Sequence, residues 1–149
     1  MSLKDQLQDD MKAAMRSGDK LRLGAIRMAI AAIKKQEIEV RGELADDAII
    51  SLLGKLIKQG RDAESQFRSG SRDELADKEA AEVAVFEQYM PKPLSDDELE
   101  ALIGRAIEST GAAGAADMGR VMGVIKAEAA GRADLGAVSK RVREILARG

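Results

Sequence analysis

Apolar residues recur every three or four positions along most of the chain, which is the period of an amphipathic helix. Leu3, Leu7, Met11 and Met15 show this spacing at the N-terminus. No β-branched run alternates with polar residues as a half-buried strand does. The pattern therefore predicts an all-α protein. The predicted helix starts are Ser2, Asp19, Asp46 or Asp47, Ser71, Ser95, Asp117 and Asp134.

Side chains that cap helices stand at several of these starts. Ser71 with Glu74, and Ser95 with Glu98, match the capping box, in which each side chain accepts a hydrogen bond from the other residue's backbone amide. Asp117 is predicted to cap the sixth helix through its carboxylate.

The clearest domain boundary predicted from the sequence is Pro91-Lys92-Pro93. Two prolines this close cannot continue a helix, and each favours an extended residue before it. We predict an N-terminal bundle of about four helices, residues 1–92, joined by a Pro-Lys-Pro hinge to a C-terminal three-helix unit, residues 93–149. Tyr89, just before the hinge, is interpreted as an amphipathic plug between the domains rather than a catalytic acid.

Composition excludes most enzymatic chemistry. The chain has no cysteine and no histidine, which excludes disulfides, Cys/His zinc sites, a thiol nucleophile and a histidine base. Its glycines match no nucleotide-binding loop. The Asp pairs 9/10, 46/47 and 96/97 invite a metal, but two of them stand at helix starts, where capping explains them. We predict no catalytic residue, no metal site and no cofactor.

Charge and hydropathy set the expected location. The formal net charge is −2, no apolar run approaches the length of a membrane helix, and the N-terminus does not resemble a secretory signal. We therefore expect a cytoplasmic protein with no membrane partner. Aromatic residues make up only 2%, so recognition of RNA by base stacking is not expected.

The last thirty residues are basic although the whole chain is slightly acidic. Seven cations stand there against three acidic residues, and those on the last helix avoid its apolar positions. A solvated face explains such a pattern, and a phosphate-binding face is the alternative. The seven cations are Arg120, Lys126, Arg132, Lys140, Arg141, Arg143 and Arg148.

A second pattern in this region is a ridge of small residues. Gly119, Gly123 and Ala127 are spaced four apart, away from the apolar face of the sixth helix. Exposed helical glycines cost roughly 0.5–1 kcal/mol each relative to alanine, so a close approach to this backbone is expected. The molecule that approaches is either a second helix or a sugar–phosphate backbone flanked by Arg120 and Lys126.

Several motifs, in this order, resemble the GatB/YqeY family and most closely its free-standing YqeY-like members. They are Tyr-Met-Pro-Lys at 89–92, Met-Gly-x-x-Met-Gly at 118–123 and Gly-Arg-Ala-Asp at 131–134, followed by a basic helix. Residues 20–30 and 58–67 match the N-terminal pattern of the same proteins. The resemblance covers essentially the whole chain.

The resemblance implies more than the residues do alone. The C-terminal part is similar to the tail domain of the B subunit of Asp/Glu-tRNA amidotransferase, which helps to hold tRNA. It also implies an amidotransferase-like carbon–nitrogen ligase with glutamine as amide donor, although the chain itself contains no visible catalytic centre. The residues that it singles out are Gly119, Arg120, Gly123, Gly131 and Arg132.

Three functions follow as alternatives. The first is a tRNA-binding accessory module that works beside an amidotransferase-type or other protein partner. The second is an enzyme, or an enzyme subunit, of amide transfer. The third is a helical protein–protein adaptor with no nucleic-acid ligand. The candidate RNA-binding residues are Gly119, Arg120, Gly123, Lys126, Gly131, Arg132, Lys140, Arg141 and Arg143.

Overall fold

The computed structural model describes residues 1–129 and 131–148, and every regular element within them is a helix. The all-α prediction is confirmed. None of these helices is both long and apolar enough to cross a bilayer. The helices are α1 (Leu3–Ser17), α2 (Lys20–Val40), α3 (Asp46–Ser69), α4 (Asp73–Glu87), α5 (Asp96–Thr110), α6 (Met118–Ala129) and α7 (Leu135–Arg148), with one turn of 3-10 helix at Ala115–Asp117.

The chain forms two compact units, Met1–Met90 and Pro91–Gly149, and each has its own apolar core. The predicted C-terminal domain, 93–149, includes Ala130 and Gly149, which lie outside the described residues. The first core consists of Leu7, Ala25, Ile26, Ala29, Ile33, Ile49, Leu53, Ile57, Val83, Val85 and Phe86. The second consists of Leu102, Ile103, Ala106, Val121, Met122, Ile125, Ala129, Val138, Val142 and Leu146.

In the first unit, α1 pairs with α2 and α3 with α4, and α2 also packs on α4. The predicted apolar stripe of α1 is only partly correct, because Met15 is 54% exposed and Ala14 occupies the core instead. A helix turns about 100° per residue, so positions spaced by four drift by about 40° at each step. By the fourth member the stripe has left the core face.

The two capping boxes behave differently. Ser95 accepts from the backbone amide of Glu98 and Glu98 accepts from that of Ser95, so this prediction is confirmed. The prediction of a capping box at Ser71 is wrong. Ser71 has a φ of +58°, and α4 begins after Arg72 with no side-chain cap. The end of α3 causes this, because Ser71 and Arg72 donate back to carbonyl groups of its last turn.

In the second unit, α5 packs on α6 and α6 on α7. Gly131 has a φ of +75° in the turn between α6 and α7, a conformation that glycine adopts without a steric penalty. Asp134 accepts a hydrogen bond from the backbone amide of Gly136 at 3.0 Å, which agrees with its predicted role at the start of α7.

Candidate nucleic-acid interface

The ridge of small residues lies on the open side of α6. The helix buries Val121 and Ile125, whereas Gly119, Gly123 and Ala127 are exposed on its other side. A β-carbon built on either glycine would meet no atom within 4 Å. No described part of the chain therefore occupies this face, and its backbone is accessible to another molecule.

Arg120, at one edge of the ridge, is held by the loop that precedes α6. Its guanidinium pairs with Asp117 and donates to the carbonyl oxygen of Thr110 at 3.3 Å. The Asp117 carboxylate also accepts from the backbone amides of Ala113 and Gly114, at 2.9 and 3.4 Å. The Ala113 amide, and after it Arg120, holds the pKa of Asp117 below its ordinary value.

These contacts correct one prediction. Asp117 does not cap α6, because its carboxylate faces back into the 113–114 loop and not toward the first amides of the helix. The pair of Asp117 and Arg120 braces this loop. The charge of Arg120 is thus already compensated within the protein, although 62% of its side chain remains exposed.

Arg132 acts as a clamp on the segment that leads into α5. Its Nε donates to the carbonyl oxygen of Lys92 at 2.9 Å, and its own carbonyl accepts from the amide of Leu94 at 2.9 Å. A carboxylate oxygen of Glu98 lies 3.9 Å away. The Gly-Arg-Ala-Asp motif and the Pro-Lys-Pro motif, 40 positions apart, therefore meet through Arg132.

Arg141 ties α7 to α5. Its Nε donates to Glu100 at 2.7 Å, and a second nitrogen lies 3.6 Å from Glu144. Arg120, Arg132 and Arg141 were all predicted to bind phosphate, and all three are bonded to other groups of the protein. The ion pair of Arg141 and Glu100 could not be predicted from sequence spacing, because the two residues are 41 positions apart.

The remaining predicted cations, Lys126, Lys140 and Arg143, are exposed. Within residues 1–129 and 131–148, none of them lies within 4 Å of a carboxylate. Lys126 follows Gly123 by three positions on α6, and Lys140 and Arg143 are three apart on α7, so each set shares a helix face. These three side chains can meet phosphate without first breaking an ion pair.

Tyr89, interpreted from the sequence as a plug between domains, is bonded inside the first unit. Its hydroxyl donates to Asp10 at 2.5 Å and accepts from Arg22 at 3.5 Å. Arg22 also donates to the side chain of Gln88 at 2.6 Å. Asp10, one member of an aspartate pair that invited a metal, is thus the partner of a tyrosine. In the described part of the chain, no three carboxylates are grouped as metal ligands would be.

Residues 4–146 match the family model of the Yqey-like proteins. The chain belongs to the YqeY-like family. The family resemblance inferred from the Tyr-Met-Pro-Lys, Met-Gly-x-x-Met-Gly and Gly-Arg-Ala-Asp motifs is therefore confirmed. This YqeY-like chain matches its family over almost its whole length, across both units.

Curated relatives of this YqeY-like chain carry the name Altered inheritance of mitochondria protein 41, mitochondrial. The protein of that name from Pyrenophora tritici-repentis is 33% identical over 95% of this chain and 79% of its own length. The one from Saccharomyces cerevisiae S288c is 36% identical over 61% of this chain, and the one from Kluyveromyces lactis is 34% identical over 56%. This chain spans about half the length of these two yeast relatives.

These names overturn one expectation from the sequence. We expected a cytoplasmic protein, and that prediction is wrong, because the relatives are named as mitochondrial proteins. The expectation rested on the absence of a secretory signal and of a membrane helix. Neither feature distinguishes the cytoplasm from the inside of an organelle.

Proposed function

We propose that this YqeY-like protein is a tRNA-binding accessory module. The supporting observation is the open ridge of Gly119, Gly123 and Ala127, beside which Lys126 is exposed and without an ion pair among the described residues. A ridge without side chains allows a sugar–phosphate backbone to approach the helix closely. The similarity of this unit to the tail domain of a tRNA amidotransferase subunit favours tRNA as the nucleic acid.

Recognition in this proposal depends on shape and phosphate contacts. The chain has one tyrosine, two phenylalanines and no tryptophan, so base stacking contributes little. Lys126, Lys140 and Arg143 supply the phosphate contacts, whereas Arg120, Arg132 and Arg141 hold the unit together. The Pro91-Lys92-Pro93 segment serves as a hinge between the N-terminal bundle and this unit. Amide transfer, which the resemblance implies, is left to partner subunits, and the relatives' names favour a mitochondrial setting.

A salt titration tests the proposal. Fluorescent bulk tRNA is titrated with the purified protein at about 50 and 200 mM salt. Three phosphate contacts predict that the affinity falls roughly 40-fold between these conditions, because log K falls by about 0.9 per contact for each tenfold rise in salt. An absence of binding at the lower salt would overturn the proposal.

Matched variants locate the site. Replacing Lys126, Lys140 and Arg143 together by glutamine should remove most of the salt-dependent affinity. The control makes the same change in net charge in the other unit and should leave binding unchanged. It replaces by glutamine three exposed lysines, Lys55, Lys58 and Lys78. Equal losses in both variants would indicate attraction by overall charge and would contradict the assignment to this unit.

A protein–protein adaptor is the second candidate, and two observations favour it. Three of the predicted phosphate-binding arginines already have internal partners, and a ridge of small residues also suits a packed helix. In an adaptor, a partner stays bound after RNase treatment and is lost from a Gly123→Glu variant. If the protein instead binds tRNA, RNase treatment should release the partner.

A further inference from the structure

The first unit carries an apolar groove between α1 and α2 that the proposed function does not use. Its volume is about 340 Å³, and its floor includes Met11 and Ile30. Both side chains are only partly buried, and their inner parts pack on the core of the unit. The groove therefore exposes apolar surface next to the core of the first unit.

The rim of this groove is positively charged. Lys12 of α1 and Arg27 and Lys34 of α2 line it, together with Gln8 and Ala31 and without any acidic residue. No carboxylate of the described residues lies within 4 Å of any of these three cations. The excess of positive charge around apolar side chains suits a ligand that is apolar on one side and acidic on its flanks.

The apolar surface continues along α2 beyond Lys34. Lys34 also lines a second, shallower groove with Ile38, which is 77% exposed. The acidic residues there are Glu37, which Lys4 holds in an ion pair at 2.9 Å, and Glu43. From Arg27 to Ile38 the surface is about 17 Å long, or three turns of helix, at 1.5 Å per residue.

We propose that this groove docks an acidic amphipathic helix of a partner protein. A long groove between two packed helices accepts the ridge of a third helix, whose apolar side chains reach Met11, Ile30 and Ile38. Glutamates or aspartates on the flanks of that helix pair with Lys12, Arg27 and Lys34. Charge complementarity at the rim sets the orientation and raises the association rate.

The groove is poorly suited to the other ligands that a basic surface attracts. Lys12, Arg27 and Lys34 could each contact a phosphate, but a polar sugar–phosphate backbone would leave the apolar side chains of Met11 and Ile30 uncovered. A small molecule is normally enclosed over most of its surface, and this groove is not an enclosed cavity. The proposal is independent of tRNA binding by the second unit.

Methyl NMR of the full chain, labelled at methionine and isoleucine, tests the proposal. The probe is a synthetic 15-residue helical peptide with leucine at positions i, i+4, i+7 and i+11 and glutamate on both flanks. We expect it to shift the methyl signals of Met11, Ile30 and Ile38 and to leave that of Ile125, in the other unit, in place. A second peptide with lysine in place of glutamate should not bind.

Charge reversal at the rim gives the matched comparison. Arg27→Glu with Lys34→Glu should weaken binding of the acidic peptide by about tenfold or more. Lys55→Glu with Lys78→Glu makes the same change in net charge elsewhere in the unit and should leave the affinity unchanged. All four side chains are exposed, so the variants should fold, which equal thermal midpoints would verify.

Four results would overturn the proposal. The acidic peptide shifts no groove methyl, the lysine peptide shifts the same methyls equally, or both variants lose affinity alike. The fourth is that bulk tRNA, or a rise in protein concentration alone, shifts these methyls. That result would assign the groove to nucleic acid or to a second copy of the chain.

Discussion

Gly60 of α3 lies so close to Val83 of α4 that a β-carbon on the glycine would be 2.5 Å from Val83 Cγ2. Val83 is 5% exposed and part of the first core, so it has little room to move away. The absence of a side chain at Gly60 therefore sets how closely α3 and α4 approach. Gly60 itself is buried in the middle of a helix, where glycine is otherwise unfavourable.

We expect Gly60→Ala to lower the free energy of unfolding by about 1–3 kcal/mol, because overpacking outweighs the gain in helix propensity. Chemical denaturation followed by circular dichroism measures the change. The control is Gly54→Ala on the same helix, where the new β-carbon would lie 3.9 Å from Met90 Cε, an ordinary contact. Gly54→Ala should be neutral or stabilising, and equal losses in both variants would contradict the packing argument.

Alanine substitutions in the ridge on α6 should have opposite effects on stability and on tRNA binding. Gly119→Ala and Gly123→Ala have open space for the new methyl group, so each should stabilise the second unit by roughly 0.5–1 kcal/mol. If tRNA approaches this backbone, the same variants should also bind tRNA more weakly. Thermal unfolding and the tRNA titration measure the two effects on the same samples.

Gly104→Ala is the control for this comparison. Gly104 is also exposed inside a helix with open space around it, but it belongs to α5 and not to the ridge. It should stabilise the protein to a similar extent and leave tRNA binding unchanged. Ridge variants that gain stability and bind tRNA as tightly as the original protein would refute a role of the ridge in RNA binding.

Arg132 is predicted to act by holding the 92–94 segment. Arg132→Lys keeps the charge but loses the Nε hydrogen bond to the Lys92 carbonyl, which is worth about 0.5–1.5 kcal/mol. We expect faster hydrogen exchange at the Leu94 amide, which donates to the Arg132 carbonyl, and little change in tRNA affinity. Arg143→Lys, on α7, is the matched control and should leave this exchange rate unchanged. A large loss of tRNA binding in Arg132→Lys would instead indicate direct phosphate contact.

Tyr89 makes stability sensitive to alkaline pH. Burial, and after it the hydrogen bond and the negative charge of Asp10, raise the pKa of Tyr89 above its ordinary value of 10. The folded state therefore holds this proton more tightly than the unfolded state. The resulting stabilisation is complete below pH 10 and is lost as the pH rises above it.

The absorbance of the phenolate measures this effect directly, because Tyr89 is the only tyrosine. The native protein should titrate at higher pH than the chain unfolded in guanidinium. Asp10→Asn removes the carboxylate charge and should move the native titration down toward that of the unfolded chain. Identical titrations of native and unfolded protein would contradict the contact between Tyr89 and Asp10.

The helical pattern was predictable from sequence because it depends on local spacing, and so was the exposure of Gly119 and Gly123. The start of a helix was predictable only where the capping residue is not also bonded to the end of the preceding helix. Ser95 follows the non-helical Pro93-Leu94 segment and is available to cap α5. Ser71 has the same motif, but only Gly70–Arg72 separate α3 from α4, and Ser71 takes part in closing α3.

The candidate site was harder to predict than the fold. Counting cations identified the basic end of the chain, but Arg132 and Arg141 find partners 40 and 41 positions away. Such pairs depend on tertiary packing, which no spacing rule reveals. The groove between α1 and α2 could not be predicted for the same reason, since its cations are scattered over two helices and only tertiary packing brings them together.

The pairing of α3 with α4 has a consequence for the order of folding. Two residues join α1 to α2 and three join α3 to α4, so closing either connection costs little chain entropy. The two helix pairs differ in what they bury, because α3 and α4 each contribute three side chains to the first core, whereas α1 contributes Leu7 alone. We expect α3 and α4 to pair first, so that their interface is already formed in the rate-limiting step. Gly60→Ala should then slow refolding and change the unfolding rate little. The helix pair that Gly60 permits would thus act as the nucleus on which α1 and α2 assemble.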